Sequence, residues 1–237
     1  MSKPTFDVDL RAVLDAMDSR RARSRQKSIG ASEVGGCRRR AAYRLSGTPV
    51  SNPNADKSKA IQGTMLHKPV LNALKVAHGG IVELKLQRPG VISGSADWLR
   101  FDPLELPILS DLKTFGAYVF EARSRAADLE VAHDYQLHIY ADMLRHGQIA
   151  PKETRLPVEP VDVVDDGRTH TRRVPFKQST ADAAWRWLAD VKAQVERDGG
   201  PQFVGRDHSG PDNSAICRGC PFATACWGWN PDTDTRE

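Results

Sequence analysis

Three short runs rich in Val, Ile and Leu follow one another in this chain, Ile81 to Gln87, Val91 to Phe101 and Leu106 to Thr114. Gly79-Gly80 precedes them, and Arg88-Pro89-Gly90 and Asp102-Pro103 stand between them as turn material, so the spacing predicts a three-stranded antiparallel meander. A meander must bury one face, and the flanking sequence supplies the cover. Ile61 to Val76 reads as a helix before it, and Phe115 to Ala127 and Ala132 to His146 as helices after it. Two further candidate strands, Arg155 to Val164 and Thr169 to Phe176, flank the turn signal Asp165-Asp166-Gly167. Thr180 to Arg197 then reads as a helix with Trp185 and Leu188 on one face. The order predicts an α/β layer arrangement, a sheet covered by helices.

At 237 residues the chain has the length of one substantial domain with a small appendage. A charged fraction of 27% beside 40% hydrophobic residues belongs to a globular protein. No apolar run reaches the length of a membrane span, and the start MSKPTFDVDL lacks the apolar centre of a secretory signal, so a cytoplasmic location is expected. The net charge of +4 hides an asymmetry: residues 1–47 carry 11 Lys/Arg against 5 Asp/Glu, and the remainder 23 against 25. The basic surplus is densest at Arg20, Arg21, Arg23, Arg25 and Lys27, and again at Arg38, Arg39 and Arg40. A solvated helix face and a phosphate-binding surface both account for such runs. Leu10, Val13, Leu14 and Met17 recur at helical spacing, and Ser32 is placed to cap a second helix running through Cys37 to Leu45. The loop-like stretch Ser46 to Asn54 separates this unit from the rest.

Asp111 and Lys113 stand two apart on the third strand, so both face one side and Leu112 the other. If the turn centres near Leu104, residues whose numbers sum to about 208 lie opposite each other. Asp97, on the preceding strand, then comes close to Asp111. Two carboxylates on one surface repel, and a cation between them is the expected stabiliser, with oxygen ligands suiting Mg²⁺ or Mn²⁺. His67, on the helix before the first strand, offers a nitrogen ligand that tilts the preference toward Mn²⁺. Gln136 and Tyr140 share a helix face at i and i+4. Taken singly, each of these patterns is more often surface or structural chemistry than a site. Their ordered succession is what points to one.

That succession resembles the PD-(D/E)XK nucleases, and within them the RecB-like branch, over about residues 28 to 228. Its four patterns stand here in order: Gly63/His67 on a helix, Gly94/Asp97 on a strand, Asp111/Lys113 on the next strand, and Gln136/Tyr140 on a following helix. One departure is Ala96 before Asp97, where the superfamily name implies proline; RecB-like members often vary there. The resemblance implies a restriction-endonuclease-like core, a mixed sheet with an antiparallel meander flanked by helices. It implies a metal held by His67, Asp97, Asp111 and the carbonyl of Leu112. Lys113 would orient or deprotonate the attacking water, and Gln136 and Tyr140 would support the site or the incoming strand.

The four cysteines are Cys37, Cys217, Cys220 and Cys226. In a reducing compartment so few read as a metal or redox site rather than disulfides. A thioredoxin-like pair lacks its βαβ context, and four thiolates suit either tetrahedral zinc or a cubane cluster. Spacing alone leans to zinc. A lone cysteine before a nuclease core and three after it is, however, the pattern of RecB-like nucleases with an iron–sulfur cluster, such as the AddB nuclease domain and the CRISPR-associated RecB-like exonucleases. The resemblance therefore implies a 4Fe–4S cluster clipping the two flanks together. It divides the chain into a basic helical segment (1–57), a nuclease core (58–200) and a carboxyl-terminal iron–sulfur segment (201–237). Arg38 to Arg40, with Arg21 and Arg23, would face DNA. Trp227 and Trp229 would cover the cluster, or stack on unpaired bases.

No Gly-x4-Gly-Lys-Ser/Thr segment occurs, so no ATP motor is built in. The expected activity is a Mg²⁺- or Mn²⁺-dependent DNA exonuclease acting at ends, on single strands, in phage or prokaryotic recombination or CRISPR spacer acquisition. Two rivals are a noncatalytic DNA-binding or adaptor module with vestigial carboxylates, and a zinc-stabilised interaction protein. The first rival predicts a missing catalytic group, and none is missing.

Overall fold

The computed structural model describes residues 29–50, 52, 58–101, 107–147, 158–164, 168–210 and 215–228. The helix expected around Leu10 to Met17, Arg21, Arg23, Trp229 and the Asp165-Asp166-Gly167 turn lie outside them. The described elements are helix α1 (Arg38–Leu45), helix α2 (Ser58–His78), strands β1 (Ile81–Arg88), β2 (Ile92–Arg100) and β3 (Ile108–Phe115), helices α3 (Ala117–Arg125) and α4 (Val131–His146), strands β4 (Val158–Val164) and β5 (Thr169–Thr171), and helix α5 (Gln178–Asp198). Two short helices, α6 (Ala215–Arg218) and α7 (Ala223–Trp227), close the described chain.

The strands form one five-stranded mixed sheet in the order β1-β2-β3-β4-β5. β1, β2 and β3 are the expected antiparallel meander, and β3 pairs with β4 in parallel, Leu109 opposite Val158 and Phe115 opposite Val164. A parallel step needs a long crossover, and α3 and α4 supply it. The β2–β3 register pairs Trp98 with Ser110, Leu99 with Leu109 and Arg100 with Ile108. These are the numbers the sequence predicts for a turn near Leu104.

Two hydrophobic layers sandwich the sheet. On one side Leu71 of α2, with Val70 and Leu74 beside it, packs on Trp98, Leu112 and Val82. On the other, Leu137, Ile139, Tyr140 and Leu144 of α4 and Ala184, Leu188 and Val191 of α5 pack on Leu86, Ile92, Ala96, Leu99 and Leu109. Residues two apart on a strand ordinarily share a face. Val82 nevertheless belongs to the first layer and Leu84 to the second, and the same switch separates Trp98 from Ala96, their partners across the ladder. Glu83 sits at the switch with φ +51°, the only non-glycine with positive φ among the described residues. Asp97 stands opposite, between Ala96 and Trp98.

Two expectations are corrected. Ser32 does not cap the Cys37 helix: Ala31–Glu33 form a separate 3₁₀ turn, Gly35 (φ +80°) breaks the chain direction, and Cys37 occupies the N-cap position of α1, with no side-chain capping bond. The fifth strand ends at Thr171 rather than Phe176. Pro175 has no N–H for a ladder, and the guanidinium of Arg172 is drawn instead to the carbonyls of Ala126 and Ala127. The other elements begin and end within a few residues of their sequence-based ranges. No helix among the described residues is long and apolar enough to cross a membrane.

Candidate active site

Strand alternation directs Asp111 and Lys113 toward α4 while Leu112 packs on the opposite layer. Asp111 is 1% exposed. Lys113 Nζ lies 2.7 Å from Asp111 Oδ2 and donates to Gln136 Oε1 at 3.0 Å. Gln136 Nε2 in turn donates to Asp111 Oδ1 at 2.8 Å. Gln136 and Tyr140 lie on the buried face of α4, where both Gln136 and the Ser95 backbone hydrogen-bond the phenol.

Asp97 turns its Oδ2 onto the backbone N–H of Leu112 at 2.8 Å, and this bond takes over from the ladder where the paired register stops at Trp98 and Ser110. His67, on α2, has Nδ1 3.7 Å from the same oxygen, within ion-pair range but too long for a hydrogen bond. The structure thus gathers His67, Asp97, Asp111, Lys113, Gln136 and Tyr140 at one level of the sheet.

Two glycines make this approach possible. A Cβ on Gly94 would stand 2.4 Å from the Tyr140 oxygen, and one on Gly63 would stand 2.7 Å from Thr114 Oγ1. The glycines of the Gly-x-x-x-His and Gly-x-x-Asp patterns are therefore spaces: one lets α2 close on β3, and the other lets Tyr140 close on β2.

The two carboxyls are driven apart electrostatically. Burial first, and then the charge of Asp111, push the Asp97 carboxyl up to about 7, with Glu83 adding to the effect and the Leu112 N–H and Lys113 opposing it. Burial also penalises the charged form of Asp111, but the Lys113 ammonium and the His133 hydrogen bond overcome it and hold Asp111 well below the usual carboxylate range. Tyr140 is pushed up by burial and by both aspartates, so its phenol stays protonated.

His133 and Arg123 belong to this network and were not singled out in the sequence. His133 Nε2 is 2.9 Å from Asp111 Oδ2, and Arg123 Nη2 is 2.8 Å from His133 Nδ1. A signal for His133 was present: His133, Gln136 and Tyr140 follow one another at i, i+3 and i+7 on a single helix stripe. Arg123 had none, because its place depends on how α3 folds back on α4.

An imidazole beside one buried and one partly buried carboxylate is a donor set that suits a divalent cation, and a cation would relieve the repulsion that raises Asp97. As the side chains stand, Asp111 is engaged by Lys113, His133 and Gln136. Among the described residues no group of three or more His, Cys, Asp or Glu is placed to hold a metal ion.

Cys37, Cys220 and Cys226 come within electrostatic reach of one another at a second corner. Burial raises the Cys220 thiol, and the charges of Cys37 and Cys226 raise it further while Arg40 lowers it, so residues from both flanks lie within electrostatic reach of one another. Cys217 precedes Cys220 by one turn, and its carbonyl accepts the Cys220 N–H at 3.1 Å. The flanks are joined by other bonds as well. Asn52, buried, donates its side-chain amide to the carbonyls of Arg218 and Cys220 at 3.1 Å each. Asp207 Oδ2 accepts the Arg38 N–H at 2.7 Å, and Tyr43 donates to the Ala225 carbonyl at 3.0 Å and stacks on Phe222. Thiols as a class suit zinc or an iron–sulfur cluster, but among the described residues no group of three or more, these cysteines included, is placed to hold a metal ion.

The basic run beside Cys37 is partly spoken for. Arg39 donates to the Val204 carbonyl at 2.6 Å, Arg38 lies over the Trp187 ring, and Arg40 lies 3.8 Å from Glu33. The ring of Trp227 is half-buried under the Arg206 guanidinium, 3.9 Å from its centroid.

A mixed sheet clasped by helices, with two carboxylates and a lysine on neighbouring strands, defines the restriction-endonuclease-like class of α/β folds. The profile of the PD-(D/E)XK nuclease superfamily matches residues 55–227, well over half of the sequence, and the chain belongs to that superfamily. Among solved structures it is similar to SSO0001, at 17% identity over 93% of this chain and 98% of that one, with a TM-score of 0.57. It is also similar to LHK-Exo, an alkaline exonuclease from Laribacter hongkongensis, in complex with dAMP, at 16% identity over 74% of this chain and 91% of that one, with a TM-score of 0.50. At these identities the likeness is one of fold. No curated protein matches the sequence significantly.

Proposed function

We propose that the protein is a divalent-metal-dependent DNA exonuclease that hydrolyses phosphodiester bonds at DNA ends, with single strands as the preferred substrate. The observation that carries this reading is the Asp111–Lys113 pair, with Asp97 in its electrostatic reach and His67 beside Asp97, within a superfamily fold of nucleases. His67, Asp97, Asp111 and the carbonyl of Leu112 would hold Mg²⁺ or Mn²⁺. When bound, such a cation supplies Lewis-acid charge at the scissile phosphate. Lys113, whose side chain is 30% exposed and reaches solvent, orients the attacking water and offsets the charge that develops on the phosphate oxygens. Gln136 keeps the lysine and Asp111 in register, and Tyr140 supports Gln136.

Cys37, Cys217, Cys220 and Cys226 would hold a 4Fe–4S cluster with a structural role. The four free cysteines, and the approach of Cys37 to Cys220 and Cys226 from the opposite flank, are what support this assignment. In this reading residues 1–57 and 201–237 are the clipped flanks of a core at 58–200. Arg38, Arg39 and Arg40, with Arg21 and Arg23, would contact DNA. The process served is phage or prokaryotic recombination or CRISPR spacer acquisition, in the cytoplasm.

The test is digestion of single strands and duplexes labelled at either end, with Mn²⁺ and with chelator, by the wild type, Asp111→Asn and Lys113→Ala. Cleavage by the wild type alone, abolished by chelator, with DNA binding kept in both variants, is the expected result. Undiminished cleavage by either variant would overturn the assignment.

A further inference from the structure

We propose that Arg123 and His133 are positioning residues that brace Asp111 so that a cation can meet it only through Oδ1. The inference rests on the metal-dependent reading above. A guanidinium only donates hydrogen bonds. With Arg123 Nη2 2.8 Å away, His133 Nδ1 must be the acceptor, so the imidazole proton sits on Nε2 and is donated to Asp111 Oδ2 at 2.9 Å. Lys113 Nζ reaches the same Oδ2 at 2.7 Å. Among the described residues two donors fill the two lone pairs of that oxygen, whereas Oδ1 receives one, from Gln136 at 2.8 Å, and keeps one.

The brace is itself anchored. Arg123 Nη1 is bound by Glu130 Oε2 at 2.8 Å, and its guanidinium lies over the ring of Phe115, 4.4 Å from the centroid. Phe115 ends the strand that carries Asp111, and Glu130 is the residue that opens α4, which carries His133. One guanidinium therefore ties both ends of the network together. The imidazole and the carboxylate are buried, so water cannot replace either bond.

A purely structural histidine would serve through its shape, whereas a positioning histidine serves through its donor. The two are separated by pairs of variants of the full chain: His133→Gln and His133→Leu, Arg123→Gln and Arg123→Leu. Glutamine can still donate, in the first case to Asp111 and in the second to His133; leucine cannot. Mn²⁺ alone is titrated, followed by calorimetry and by the rise in melting temperature, and the same preparations are assayed for cleavage.

The leucine variants are expected to bind Mn²⁺ about tenfold or more weakly, the usual penalty for losing a bond that orients a metal ligand. The glutamine variants should stay within a few-fold of the wild type. Equal affinity in all five proteins would overturn the proposal, and so would glutamine variants as weak as the leucine ones. Should His133→Leu fail to fold, Arg123→Leu and Arg123→Gln, which keep the imidazole, decide the matter alone. A wild type that binds Mn²⁺ but cuts no strand defeats the nuclease reading and leaves the brace to be judged on affinities. Cleavage with uniform affinities defeats the brace and leaves the reading intact.

Discussion

The phenol of Tyr140 occupies the space that a side chain on Gly94 would need: a Cβ there would come within 2.4 Å of its oxygen. The contact joins α4 to β2 just three residues before Asp97, so packing and site geometry are coupled at this point. Tyr140 is buried and cannot swing away. Gly94→Ala is therefore expected to destabilise the fold by about 1–3 kcal/mol, the usual cost of overpacking. Adding Tyr140→Leu should restore part of that loss. Thermal unfolding of the single and double variants checks both statements, and a Gly94→Ala protein that melts like the wild type would rule out the close approach.

Asp97 makes a prediction about pH. Its carboxyl is raised to about 7, chiefly by burial and by Asp111, so the folded protein keeps a proton that the unfolded chain has already released. Between the ordinary carboxylate range and pH 7 the native state binds the extra proton, and this group's contribution makes metal-free stability fall as pH rises. Asp111 has the opposite sign: its depressed value stabilises the fold above the ordinary range, and that stabilisation is lost only in strong acid. A cation must displace the Asp97 proton. Mn²⁺ affinity should accordingly rise about tenfold per pH unit up to neutrality and level off above it. Calorimetric titration of metal across this range measures the slope, and a flat profile would show that Asp97 is not the group displaced.

Glu83 carries a backbone conformation that an L residue adopts at a cost of about 1–2 kcal/mol. Glycine removes that strain but adds freedom to the unfolded chain, worth about 0.5–1 kcal/mol. Glu83→Gly should hold or slightly raise the stability, while Glu83→Val, a branched residue in the same conformation, should lower it. Denaturant unfolding of the pair compares them. Because Glu83 also helps to push Asp97 up, the glycine variant should shift the pH profile of Mn²⁺ binding to lower pH.

At the cysteine corner, protein purified without oxygen should be brown and contain iron and sulfide. Cys220→Ala should lose the colour and lower the melting temperature, since both flanks meet beside this residue. A colourless wild type with stoichiometric zinc would assign the thiols to zinc, and an unchanged melting curve for Cys220→Ala would remove the structural role.

Much of the site was legible before folding because it is written in short-range periodicities. Alternation on a strand placed Asp111 and Lys113 together, helical spacing placed Gln136 with Tyr140, and the turn near Leu104 set the register that the Trp98–Ser110 and Leu99–Leu109 pairs display. The fifth strand was overextended because Thr169 to Phe176 has strand composition. The lost N–H of Pro175 and the capture of Arg172 by the carbonyls of Ala126 and Ala127, just past α3, outweighed it.

The sequence by itself determined the element order, the meander and the pairing of chemistry-bearing residues within each element, since these follow from periods of two and of 3.6 residues. Only the tertiary structure decided what stands between elements. It turned Asp97 onto the Leu112 N–H, closed Tyr140 on Gly94, and linked Arg123 through His133 to Asp111. It also brought Cys37 to the tail across most of the chain. Such contacts depend on the volume left between packed layers and on which buried polar groups still lack partners. Neither quantity exists until the layers have met.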